Sequence, residues 1–210
     1  STRNYETLNE LKAQYHLNES VHTIDELIEL KPAAIFVSAK TEAHFELSKK
    51  VLEANIPLYL DKPISMEMAE VKALSDLAHK NNVLFMTGFN RRFVPLVKQV
   101  HDLGVPDLVI YQKNRNLKSD TVKRFIMEDY VHVIDTARYL LQREITEIRV
   151  QAKLEKDLLA HVIVHLITDV NSAICITNYQ NGCTEEIIDV MHPYHKSVIK
   201  NLAELEWYEK

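Results

Sequence analysis

The sequence predicts an α/β fold in two parts: a parallel sheet interleaved with helices, then an α+β domain built on an open antiparallel sheet. Three observations carry this. Short apolar runs alternate with amphipathic helical stretches up to about residue 90, the pattern of βαβ units. From residue 146 onward, strand-like runs follow one another with only turn residues between them, the pattern of an antiparallel sheet. The chain has 210 residues, 46% hydrophobic and 26% charged, an ordinary globular composition with room for one large domain or two small ones.

The elements follow in order. Residues 5–16 read as a helix, and Thr23-Ile24-Asp25-Glu26 opens a second, short one with a good N-cap. Residues 33–37 (AAIFV) are a strand, 42–54 a helix and 56–60 a second strand. Over 66–80, Met68, Val71, Leu74, Leu77 and Ala78 recur at helical spacing. Residues 83–87 (VLFMT) make a third strand. All three strands are apolar enough to be buried on both faces. A helix is expected over 93–103, a strand over 107–113 (DLVIYQK), a polar connection over 114–120 and a helix over 126–141. Strands then cover 146–154, 159–169, 172–180, 184–191 and 196–206. Asn171, Asn181-Gly182 and His192-Pro193 supply turns between several of them. In 159–169, Val162, Val164 and Leu166 face one way, and His161, Ile163, His165 and Ile167 the other. The expected domains are residues 1–95 and 96–210.

Composition excludes several partners. Net charge is −5, so there is no basic footprint for nucleic acid. No apolar run approaches the ~18 residues of a membrane span, and no signal-peptide pattern opens the chain. Cys175 and Cys183 are the only cysteines, too few for a disulfide framework, and a cytoplasmic setting is expected. Gly88, Gly104 and Gly182 are the only glycines, against an average near ~7%, and no phosphate loop can be drawn from them.

Ligands of open parallel sheets bind outside the carboxyl ends of the strands. That directs attention to residues 38–44, 61–63 and 88–92. In LYLDKPIS, Lys62 is held by the following proline and has a fixed direction. Partly buried, it could protonate a substrate oxygen or stabilise an alkoxide; the plainer reading is a solvated Asp61–Lys62 pair. In FIMEDYVHVIDTARYLL, Glu128 and His132 stand four apart on one helix face. A carboxylate beside an imidazole suits acid–base work; the plainer reading is a helix-surface pair or a core histidine. His44 starts a helix after the first strand, in SAKTEAH, where cofactor contacts or simple capping both fit. Arg91 and Arg92 are adjacent, so at most one points into a given cleft. The pairs His192/His195 and His161/His165 come without convergent carboxylates or cysteines, and no metal site is expected.

Taken together, AAIFVSAKTEAH, LYLDKPIS, TGFNRRFVP, EDYVHVIDTARYLL and NYQNGCTEEIIDVM resemble, in the right order, segments of the Gfo/Idh/MocA oxidoreductase family, in the branch that spells its lysine motif Asp-Lys-Pro. The resemblance implies a Rossmann domain that binds NAD or NADP, and a second domain whose open sheet supports homo-oligomers. It implies hydride transfer to or from a sugar, polyol or related hydroxy or carbonyl compound, the nicotinamide carrying the hydride. By position, Lys62 would bind and polarise the reacting oxygen, and His132 would give or take the proton. Glu128 takes the place of the family's aspartate. Cofactor contacts would come from Ser1, Thr2, Arg3, Ser38, Ala39, Lys40, His44, Asp61, Lys62, Asn90 and Arg91. A hydroxyl and an arginine at residues 1–3, with no acid, lean toward NADP. The family's first strand and Gly-x-Gly-x-x-Gly turn have no counterpart here, so the sequence is expected to be a portion of a complete enzyme. Lys40 stands where a proline is usual, and Tyr130 where a glycine is usual. The rival reading is a non-catalytic relative of the same fold that binds a sugar or a protein.

Overall fold

The expected parallel layer forms in residues 1–88 of the computed structural model, which describes residues 4–116 and 120–210. Asn4 caps helix α1 (Tyr5–Gln14), its side chain accepting the Thr7 N–H at 3.2 Å. Thr23 caps α2 (Ile24–Glu29) by accepting the Glu26 N–H, while the Glu26 carboxylate reaches back to the His22 N–H at 3.0 Å. That reciprocal arrangement satisfies two otherwise unpaired donors at the helix start.

Strands β1 (Ile35–Val37), β2 (Leu58–Leu60) and β3 (Phe85–Thr87) pair in parallel in that order, with Ile35 beside Leu58 and Leu58 beside Phe85. Helices α3 (Thr41–Glu53) and α4 (Met68–Lys80) make the two crossovers. Their apolar sides (Val51, Leu52, Leu74, Ala78) pack with Ile35, Val37, Leu58 and Leu60. Met68, assigned by spacing to the apolar stripe, is exposed at the helix start.

Within this chain the expected burial of the three strands is met on one face. Crossovers of one hand between strands added in one direction fall on the same side of the sheet, so α3 and α4 share a face. On the other face Phe36, Tyr59 and Met86 form a row across the three strands, Phe36 being 72% exposed.

Residues 89–210 form the second unit. The division falls between Gly88 and Phe89, so residues 89–95, expected with the first domain, are counted with the second. Arg91 and Arg92, in a 3₁₀ turn (Asn90–Phe93), pair within this unit with Glu186 and Asp135. Helix α5 (Pro95–His101) leads to β4 (Leu108–Asn114). One continuous helical stretch follows, made of α6 (Val122–Phe125), a π-helical turn (Ile126–Tyr130) and α7 (Val131–Leu141).

The remaining strands are β5 (Glu147–Glu155), β6 (Leu158–Ile167), β7 (Ser172–Asn178), β8 (Glu185–His192), β9 (His195–Lys200) and β10 (Glu204–Glu209). Two expectations change here. The run 196–206 is two strands, broken where Asn201 and Leu202 take positive φ of 49° and 59°. The sheet is also mixed rather than purely antiparallel. Its order is β10-β9-β8-β4-β7-β6-β5, with β4 inserted at the centre, antiparallel to β8 and parallel to β7.

The inner face (Val109, Tyr111, Val162, Val164, Leu166, Ala173, Cys175, Ile188, Val190) packs under Val133, Ala137, Leu140 and Leu141 of α7. The other face carries half-buried Ile110, Ile163, His165, Ile174 and Ile176. Among the described residues no helix is long and apolar enough to cross a membrane.

Candidate functional site

In the first unit the carboxyl ends of β1 and β2 bring polar groups to one edge. The Asp61 N–H bonds to the Val37 carbonyl at 2.9 Å, tying the two strand ends together. The Asp61 carboxylate accepts the backbone N–H of Lys62 at 2.8 Å, which fixes the start of the Lys62-Pro63 turn. Lys62 is half-buried beside it, and Ser38, Ala39 and Lys40 are exposed at the end of β1.

His44 lies beneath the two loops. It is 1% exposed, with Nδ1 2.7 Å from the Pro63 carbonyl and Nε2 3.1 Å from the Ala39 carbonyl. The ring bridges the loops that follow β1 and β2, so it positions Lys62 and residues 38–40 from beneath. Ser65, also buried, hydrogen-bonds the Glu70 carboxylate and accepts the Glu67 N–H, closing the loop after Pro63. Gly88 ends β3 against Tyr59. A Cβ there would lie 2.6 Å from the tyrosine oxygen, so a larger residue would require the tyrosine ring to shift.

Half-buried Lys62 and exposed backbone at parallel strand ends make this edge a place where a ligand of such a sheet can bind. It offers no cradle for a pyrophosphate, since the three glycines lie at 88, 104 and 182. Ser1, Thr2 and Arg3, expected at the adenosine ribose, lie outside the described residues.

In the second unit Glu128 belongs to the π-helical turn and His132 is the second residue of α7. The i,i+4 reasoning applied to an uninterrupted α-helix therefore does not carry across the junction. Glu128 is half-buried and pairs with Arg124 at 3.2 Å, while His132 is 6% exposed. Asp135, one turn on, takes both Nε and a terminal nitrogen of Arg92. Arg91, expected near a cofactor, is bidentate with Glu186 at 2.6 and 3.1 Å. Asn90 is exposed.

Sequence reading missed the polar network under this helix. Glu186 also accepts the hydroxyl of buried Tyr111. Burial pushes the Glu186 pKa up, but the bonds from Arg91 and Tyr111 outweigh it and hold the carboxyl below its usual value. Lys113, one turn of the pleat beyond Tyr111, is 1% exposed and bonds both the carboxylate and, at 3.2 Å, the main-chain carbonyl of Asp129. Burial lowers its pKa to about 8, Asp129 opposing part of the fall. The available signal was phase: Val109, Tyr111 and Lys113 alternate along one strand, so a charged residue stood at a core position. Among the described residues no three His, Cys, Asp or Glu converge to hold a metal.

Residues 2–89 match the profile of an oxidoreductase family with an NAD-binding Rossmann fold, GFO_IDH_MocA. The protein YceM of Salmonella typhimurium is 31% identical over 110 residues, which is 51% of this chain and 36% of YceM. The myo-inositol 2-dehydrogenase of Thermotoga maritima is 26% identical over 188 residues, 83% of this chain and 55% of that enzyme. The chain thus spans between about a third and just over half the length of these relatives. Among solved structures, the dehydrogenase MviM from Clostridium difficile has a TM-score of 0.91 at 26% identity, covering 98% of this chain and 69% of its own. Levoglucosan dehydrogenase, in complex with NADH and L-sorbose, has a TM-score of 0.81 at 17% identity, covering 98% and 64%, a likeness of fold alone.

Proposed function

We infer that the chain belongs to the Gfo/Idh/MocA oxidoreductase family, whose profile residues 2–89 match, and from that premise we propose that it serves an NAD(P)-dependent hydride transfer on a sugar, polyol or related compound. The observation that carries the reading is Lys62, half-buried at the carboxyl end of a parallel strand, its backbone fixed by Asp61. A cationic ammonium at that place holds a substrate oxygen and stabilises the negative charge that develops on it.

When bound, the cofactor gives or takes the hydride. Ser38, Ala39, Lys40, Asp61 and Lys62 would hold its nicotinamide side. In the second unit His132 is the candidate proton donor or acceptor, with Glu128 as a second acid–base group of the same helical stretch. The named activity of the inositol dehydrogenase relative supports a polyol substrate class. Replacing Lys62 by Ala in the whole protein is expected to lower turnover about 100-fold or more, the scale of a lost acid–base group, with NAD(P) binding nearly intact. Unchanged turnover would remove Lys62 from the chemistry.

We also propose that the open face of the seven-stranded sheet pairs with a second copy. Ile110, Ile163, Ile174 and Ile176 form an apolar patch on hydrogen-bonded neighbouring strands there, and such patches mark interaction surfaces. Light scattering on wild type and Ile163→Lys/Ile174→Lys tests it. A wild-type monomer, or an unchanged oligomer in the variant, would refute it.

A further inference from the structure

The helical stretch that carries Glu128 and His132 contains one residue too many for a regular α-helix. That extra residue is taken up in the π-turn Ile126–Tyr130. Such turns weaken the regular hydrogen-bond ladder, occur mostly as single turns, and frequently mark functional sites. They also set direction. At 3.6 residues per turn, one residue is worth roughly 100° of rotation. Relaxation of the π-turn into α-helix would swing the residues before it by about that angle relative to α7.

Something outside the helix therefore has to hold the turn in register, and the sheet beneath supplies it at consecutive residues. Lys113 of β4 donates to the carbonyl of Asp129 at 3.2 Å and to its carboxylate. Tyr130, 2% exposed, donates its hydroxyl to the Cys175 carbonyl of β7 at 2.8 Å. Strands β4 and β7 are direct neighbours in the sheet. Just before the turn, Phe125 stacks on Tyr179 at 3.6 Å between ring centroids. The tyrosine and phenylalanine contacts are ordinary core packing. Lys113 is not: a buried ammonium is costly to keep, and an apolar residue would fill the same volume.

We propose that Lys113 is a positioning residue, which pins the π-turn through Asp129 and so fixes the directions in which Glu128 and His132 leave the helix. This rests on the reading of His132 and Glu128 as the acid–base groups. The other charges around it are consistent with one task. Arg91 and Glu186 neutralise each other on one side, and Arg115 approaches the second oxygen of Asp129 at 3.8 Å, so the Lys113–Asp129 pair lies among charges of both signs.

The test uses three variants. Lys113→Met keeps the aliphatic stem and removes the ammonium. Lys113→Met/Asp129→Leu removes the whole pair, leaving no stranded carboxylate and hence a folded core. Lys113→Arg keeps charge and donors. The first readout is the pair of ring ¹⁵N shifts of His132 at neutral pH in the 210-residue chain, assigned by their loss in His132→Gln. Both methionine variants are expected to displace these shifts, and Lys113→Arg to restore them toward wild type. In the whole protein, kcat should fall about 100-fold with KM within about twofold, the cost of a roughly 1 Å misplacement.

A folded double variant with wild-type His132 shifts would overturn the proposal. Should both methionine variants fail to fold, Asp129→Asn decides by the same shifts: it keeps the side-chain volume but removes the charge that holds the ammonium, so displaced shifts support the proposal and wild-type shifts overturn it. Shifts that move while His132→Gln retains full turnover would instead refute the acid–base reading on which the proposal rests.

Discussion

Glu186 offers a stability test that reports on the second unit alone. Its carboxylate holds Arg91 by two bonds and the Tyr111 hydroxyl by a third, and the two charged side chains are only 14% and 10% exposed. Glu186→Ala strands a cation and a hydroxyl together. Breaking a buried ion pair costs about 3–5 kcal/mol, and a buried hydroxyl without an acceptor about 1–3 kcal/mol. The two share one carboxylate and Arg91 keeps some water, so the sum is not simple; about 4 kcal/mol is expected. The protein has a single tryptophan, Trp207, and it lies on β10 of this unit. Its fluorescence in a urea titration therefore follows the second unit. With a slope of roughly 2 kcal/mol per molar urea, the midpoint should drop by about 2 M. Arg91→Met/Tyr111→Phe/Glu186→Leu should recover most of that loss, because nothing charged is left without a partner. A drop under about 0.5 M in Glu186→Ala would refute the argument that this network holds the 3₁₀ turn to the sheet.

Further outcomes follow from the same structure. The Glu186 carboxyl lies below its usual pKa in the folded state, so its contribution is present above the unfolded value near 4.5 and is lost as pH falls through the folded one. Glu186→Gln should flatten the acid limb of the Trp207 stability profile. Lys113 falls from 10.5 to about 8. The folded chain therefore releases this proton first, and wild type should gain stability relative to Lys113→Met as pH climbs from about 8 toward 10.5. A gain in the other direction would show that the ammonium is not desolvated. Gly88→Ala should cost about 1–3 kcal/mol through overpacking against Tyr59. Tyr59→Phe in that background should return part of it, read from thermal unfolding by circular dichroism.

Much of the molecule was legible in the sequence, for reasons that can be named. Asn4 and Thr23 mark helix starts because a short polar side chain there accepts an orphan N–H. The alternation of Val162, Val164 and Leu166 with His161, Ile163 and His165 fixed the inner face of β6, since a strand's period is two. Lys62 drew attention because the carboxyl end of a parallel strand is where ligands approach, and the fold does place it half-buried at such an end.

Other features depend on distance in space rather than along the chain. No local pattern says that β4 enters between β7 and β8, because that pairing joins Tyr111 to Cys175 and Ile188, far along the chain. The one-sided covering of the first sheet follows from crossover handedness, which leaves no mark on the apolar content of Phe36 or Met86. The place of His44 in the sequence fits a cofactor contact or simple capping, and only the packed loops reveal that its two nitrogens face the Ala39 and Pro63 carbonyls. Local sequence determined which residues seek burial and where helices start. Tertiary structure decided which buried polar groups meet, because an ion pair such as Lys113–Asp129 exists only once a strand and a helix enclose it and exclude water.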